Sequence, residues 1–220
     1  MRLLTIGNDT KTVKGEKLGV KTAILYLAPA DIAGLNVCPW ASKGCREACL
    51  YTAGRGSFNN VQQARINRTR FLHDHHDKFM DQLYVELTRF RISTERKGFK
   101  PAVRLNGTSD ISWRRVIKHH PELQFYDYTK SAARILGNDL PNYWLTFSRS
   151  ESNWETCRKV LDDGKNVAAV FSTVPSEYQG YRVINGDDSD VRFRDPTPVI
   201  VGLTPKGKAR KDKSGFVIQL

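Results

Sequence analysis

The residues most suited to chemistry are three cysteines. Cys38, Cys45 and Cys49 fall in the stretch NVCPWASKGCREACLYTAGRG (36–56), spaced C-x6-C-x3-C. Cys38 precedes Pro39, which disfavours helix and places it in an extended or turn conformation. Ser42 is a good cap for a helix beginning near Lys43, and Gly54 or Gly56 a good stop. On that helix Cys45 and Cys49 would be i and i+4, one above the other on one face. Cys38 would then fold back over them from the loop. Three thiolates converging in this way make a soft-metal site. A structural zinc needs four protein ligands, and no fourth Cys or His lies in the stretch. A [4Fe-4S] cluster held by three cysteines leaves one iron open. Three buried structural cysteines are the remaining reading. Lys43, Gly44, Arg46 and Glu47 make the segment polar, which gives the sulfurs little reason to gather as core. The leading expectation is therefore a [4Fe-4S] cluster on Cys38, Cys45 and Cys49.

The surrounding elements decide where such a site would stand. TAILYLAP (22–29) reads as the first strand and runs straight into the cysteine loop. Residues 59 to about 96 read as helical, with Phe71, Phe79, Leu83, Leu87 and Phe90 at three- and four-residue spacing and a break near His73–Asp77. Beyond Lys100, strand-like runs occur at 101–106, 123–129, 142–148, 166–172, 181–185 and 197–203, and helical patterns separate several of them. Strand–helix alternation at this pitch implies parallel β/α units. The expected fold is α/β: a reduced or incomplete (β/α) TIM-barrel-like fold with the cysteine loop after the first strand. Residues 1–220 read as a single domain, with 1–20 a polar arm and 206–220 a basic tail.

In a parallel barrel the C-terminal strand ends share one face, so polar residues after each strand should ring the cysteines. Asn106, Asp110, Lys130 and Arg149 are the candidate ligand-binding residues on that ground. Ser109, Ser131 and Ser150 read as helix N-caps, whereas Lys130 and Arg149 are poor choices for a helix N-terminus. Arg65, Asn67, Arg68 and Arg70 come one element after the cysteines and could reach an anion. Cys157, mid-helix beside Val160 and Leu161, reads as core, and the HDHHD run (73–77) as a solvated helix face.

CPWASKGCREACLYTAGRG, VRLNGTSD, YDYTKS, WLTFSRSESN and VIVGLTPKGKAR together resemble the phage gene-product-eighty-eight family, a group of cysteine-cluster phage proteins, and the likeness spans most of the chain. It implies a cytoplasmic protein made in the infected host. A cysteine triplet followed by strand–helix units is more distantly similar to radical S-adenosylmethionine enzymes, which implies S-adenosylmethionine as a cofactor. The chain lacks that group's C-x3-C-x2-C spacing and its Gly-Gly-Glu strand.

A net charge of +12 favours anionic partners, either a small anionic ligand at the strand ends or nucleic acid. No apolar run is long enough to span a membrane, and no pattern sets an oligomeric state. The functional expectation is an iron–sulfur protein with redox, sensing or radical-type chemistry at an open iron. The alternative is a zinc-bearing basic nucleic-acid-binding protein without catalysis.

Overall fold

The computed structural model describes residues 1–7 and 10–220. Among these residues ten strands form one sheet: β1 (Leu4–Ile6), β2 (Val20–Leu25), β3 (Lys100–Arg104), β4 (Gln124–Thr129), β5 (Tyr143–Ser148), β6 (Val167–Phe171), β7 (Glu177–Tyr178), β8 (Tyr181–Asn185), β9 (Ile200–Leu203) and β10 (Val217–Ile218). Their order is β1-β2-β3-β4-β5-β6-β9-β8-β7, with β10 pairing β6 off this path. The pairs β1–β2 and β7–β8 are antiparallel, and every other pair is parallel. Among the described residues there are seven helices: α1 (Thr10–Glu16), α2 (Lys43–Glu47), α3 (Asn59–Asp74), α4 (His76–Glu95), α5 (Arg114–His119), α6 (Ala132–Leu136) and α7 (Trp154–Asp162).

The α/β class and the parallel core agree with the sequence reading, but the barrel does not form. The sheet is open, because each end of the strand order carries a short antiparallel strand. No helix separates β6 from β8. A hairpin stands there instead, turning at Gln179 and Gly180 with φ of 53° and 81°. The cysteine loop leaves β2, the first parallel strand, because residues 4–6 of the expected polar arm form β1. The expected basic tail likewise contains a strand, β10.

Alternation along the strands gives the sheet two apolar faces. Ala23, Leu25, Val103, Phe125, Leu145, Phe147, Val167 and Phe171 pack under helices together with Phe79, Leu83, Leu87 and Phe90 of α4. The long helical segment breaks at His75, where φ is −139° and ψ 52°. The opposite face carries Val20, Ala102, Tyr126 and Val191. It also buries ions: Arg104 pairs with Asp190 at 2.9 Å and Arg192 with Asp195 at 3.2 Å. Among the described residues, no helix is long and apolar enough to cross a membrane.

Candidate functional site

The C-terminal ends of β2 to β6 meet the cysteine segment. Ser42 caps α2 as expected, accepting from the Cys45 N–H at 3.2 Å. The helix then stops early. Ala48 is its C-cap, and Cys49 instead opens a 3-10 turn over Leu50–Thr52, its sulfur accepting from the Tyr51 N–H at 3.5 Å. Cys45 and Cys49 therefore do not stack on one helical face. Cys38 donates from its thiol to the Thr108 carbonyl at 3.6 Å.

These placements overturn the expected function. The three sulfurs lie within electrostatic reach of one another. Even so, among the described residues no group of three or more His, Cys, Asp or Glu side chains is arranged to hold a metal ion. The residues present do not fit a [4Fe-4S] cluster or a zinc ion, and both the iron–sulfur reading and its zinc-bearing alternative are corrected on that ground. Burial pushes the Cys38 pKa up to about 11, and the neighbouring Cys49, Cys45 and Asp110 add to the rise against the bond to Ala30. Without a bound metal, Cys38 is therefore a thiol at neutral pH. Burial raises Cys49 too, opposed by the Tyr51 N–H, Arg65 and Lys130. Cys157 is buried in the core.

The four expected ligand-binding residues have distinct settings. Asn106 is buried, its amide donating to the Ile111 carbonyl at 3.1 Å and to Asp127 at 3.3 Å, while its oxygen accepts from Ser109 and the Ile111 N–H. Asp110 accepts from the Lys130 N–H at 2.8 Å and pairs with Arg134. Arg149 donates to the Gly215 carbonyl at 2.5 Å and the Phe216 carbonyl at 2.9 Å. Lys130 has no ion-pair partner among the described residues. Its ammonium stands 5.5 Å from the centre of the Phe216 ring and its charge reaches Cys49. Ser131 caps α6 through the Arg134 N–H. Ser109 and Ser150 do not cap: the residues before α5 and α7 are Trp113 and Asn153.

Arg65 brings a second cation to Cys49. It projects from α3 and is only 7% exposed. Its guanidinium lies 4.6 Å from the ring centre of Tyr26, just past β2, and 5.6 Å from that of Tyr51. Its Nε and Nη1 are buried with no hydrogen-bond acceptor among the described residues. Burial pushes its pKa down, while Tyr26, Cys49 and Tyr51 push it back up. The sequence marks Arg65 only as one of several basic residues on a helix, because the two tyrosines that bury it lie 39 and 14 positions away. Glu151, just past β5, completes the frame by accepting from the Ser42 hydroxyl at 2.7 Å and the Gly44 N–H at 2.9 Å. Two cations, one of them buried and short of acceptors, together with uncharged thiols, suit the capture of a carboxylate or phosphate.

No solved structure matches this chain. A curated relative, the Gene 88 protein of Mycobacterium phage L5, is 33% identical over 87 residues, which is 38% of this chain and 34% of the relative. The match thus spans about a third of that relative's length. The family model described as Gene product 88 matches residues 2–220, so the chain belongs to that family.

Proposed function

We propose that the protein binds a small anionic ligand at the C-terminal edge of its parallel sheet, with Arg65 and Lys130 supplying the positive charge around Cys49. One observation carries this reading: Arg65 is a buried guanidinium with two nitrogens lacking acceptors. A buried donor left unpaired costs about 1–3 kcal/mol, and more when charged. An arriving carboxylate or phosphate removes that cost and forms charge-assisted bonds. In this reading Asn106 and Asp110 are positioning residues. Asn106 fixes the loop through Ser109 and Ile111, and Asp110 holds the backbone of Lys130. Arg149 holds Phe216 beside the Lys130 ammonium. A bacteriophage origin and action in the host cytoplasm belong to the same proposal, supported by the relative from phage L5.

Titration calorimetry and thermal melting with inorganic phosphate, a dicarboxylate and S-adenosylmethionine, whose methionine end carries a carboxylate, test the site. At about 100 times Kd, a ligand specific to the folded state stabilises by about 2.7 kcal/mol. We expect at least one of these anions to raise the melting temperature, and Arg65→Gln and Lys130→Gln each to weaken its binding about tenfold or more. Undiminished binding in both variants would refute the proposal, as would failure of all three probes.

A further inference from the structure

A groove lies at the other end of the molecule, where α4 leaves the edge of the sheet. It encloses about 560 Å³ and is lined on one side by Arg2, Leu4, Ile6 and Lys21 and on the other by α4 from Glu86 to Thr94, with Lys97 just past the helix. The floor is apolar: Leu4 and Phe90 are buried and Ile6 is half-buried. The rim is cationic, from Arg2, Lys21, Arg89 and Lys97. Lys21 pairs with Glu16 at 3.5 Å. Arg2, Arg89 and Lys97 have no ion-pair partner among the described residues. The groove's acid, Glu86, is already engaged by the Leu3 N–H at 2.9 Å, the Leu4 N–H at 2.8 Å and the Gln82 amide at 2.7 Å.

We infer that this groove binds an extended acidic peptide segment of a partner protein, laid beside β1. Three observations select that occupant. First, β1 ends the strand order and among the described residues pairs only with β2; Glu86 takes the Leu3 and Leu4 N–H groups, so it is the Ile6 end of the outer edge that can accept a further strand by main-chain hydrogen bonding. Second, two free cations of the rim are spaced for a strand: Arg89 on α4 and Lys97 in the turn just past its end. They are eight residues apart, and the six helical steps from Arg89 to the end of α4 alone span about 9 Å. Carboxylates at i and i+4 of an extended chain face the same side about 13 Å apart. Third, the apolar floor between the cations suits an aliphatic side chain at i+2. The groove offers no exposed aromatic ring on which nucleic-acid bases would stack.

Fluorescence anisotropy on the full chain tests this, using a fluorescein-labelled octapeptide whose two glutamates stand four positions apart with valine midway and threonine elsewhere. A matched octapeptide with the glutamates three apart puts the carboxylates on opposite faces. The expected result is saturable binding of the first peptide, about tenfold tighter than the second, consistent with two rim contacts of modest strength. Arg89→Glu with Lys97→Glu should reduce that binding at least tenfold, while Lys118→Glu with Lys159→Glu, an equal charge change elsewhere, should leave it within about twofold. If the reversed protein melts early, Arg89→Gln with Lys97→Gln supplies the same comparison. Equal binding of the two peptides, equal losses in the two charge variants, or no binding overturns the inference. An unlabelled oligothymidylate that binds the groove more tightly than the peptide would also overturn it and make this a nucleic-acid surface.

Discussion

Asp127 shows how a single residue's position outweighs its type. It lies on β4 with 1% exposure and accepts from the Asn106 N–H at 2.8 Å and the Tyr143 hydroxyl at 3.2 Å. Burial raises its pKa to about 6, against the pull of Arg104, Asn106, Arg134 and Tyr143. A carboxyl whose folded value lies above its unfolded value of about 3.9 keeps its proton longer in the folded chain. Its stabilising effect is therefore full in acid and is lost as pH rises through about 4 to 6. A rise of about two pH units corresponds to about 3 kcal/mol. We predict that the stability of the wild type relative to Asp127→Asn falls by about 2–3 kcal/mol from pH 4 to pH 7 in urea denaturation. A difference independent of pH would show that Asp127 is ionised throughout. The residue scale is also where the candidate site was only partly legible. Lys130 and Arg149 both look available after a strand, yet Arg149 is tied to carbonyls 66 and 67 positions away. No local pattern encodes a partner at that separation, and the burial of Arg65 between Tyr26 and Tyr51 was hidden for the same reason.

At the scale of elements, the sequence was most informative where periodicity is strong. The helix α4 follows from the apolar stripe of Phe79, Leu83, Leu87 and Phe90, and the break at His75 falls in the HDHHD run; α3 has no such stripe, its buried residues being Arg65 and Thr69. The strands β2 to β6, β8 and β9 overlap the runs read as strands, with β2 beginning two residues and β3 one residue earlier than expected. The short α2 was not legible beyond its Ser42 cap. Its start is held by Glu151, more than one hundred positions away, and Gly44 is needed for the approach: a Cβ there would lie 2.8 Å from Glu151 Oε2 and 2.9 Å from Phe216 Cβ. Burial raises the Glu151 pKa, but its bonds to the Gly44 N–H and Ser42 hydroxyl and the Lys130 charge lower it further, leaving a net fall. The depressed folded value means that this contribution is present above the unfolded pKa of about 4.3 and is lost as pH falls through the folded value. We predict that Glu151→Ala destabilises the fold by about 1–3 kcal/mol at pH 7, by leaving Gly44 and Ser42 without their acceptor. The loss should shrink at pH 3. Urea denaturation at the two pH values measures both, and an unchanged midpoint at pH 7 would mean that α2 does not depend on this clamp.

For the whole molecule, the decisive difference from a barrel is how the sheet is finished. Closure would require the last strand to reach the first, an arrangement that run counts along a sequence cannot specify because strand order is set by tertiary packing. Here β6 is bordered on one side by β9. On the other side β5 covers its first half, with Phe147 opposite Val167 and Ser148 opposite Ala168, and β10 covers its second half, with Val217 opposite Val170 and Ile218 opposite Phe171. The C-terminal segment thus fills the gap that opens as β5 and β6 diverge, next to the candidate anion site. Arg149 fastens it through Gly215 and Phe216, the Ser172 N–H donates to the Ile218 carbonyl at 2.8 Å, and Asp212 accepts from the Val217 N–H at 3.0 Å. Val217 and Ile218 are 2% and 8% exposed, and burying each such side chain contributes about 1.5–3 kcal/mol. Removal of residues 215–220 should therefore cost about 3 kcal/mol or more. It should also release Arg149 and free the Lys130 ammonium from Phe216. The expected outcome is a lower urea midpoint together with weaker binding of whichever anion the intact protein captures. If the truncated chain keeps its midpoint, the segment is not part of the cooperative fold. If it loses stability but binds the anion with unchanged affinity at low temperature, the placement of Lys130 does not depend on Phe216.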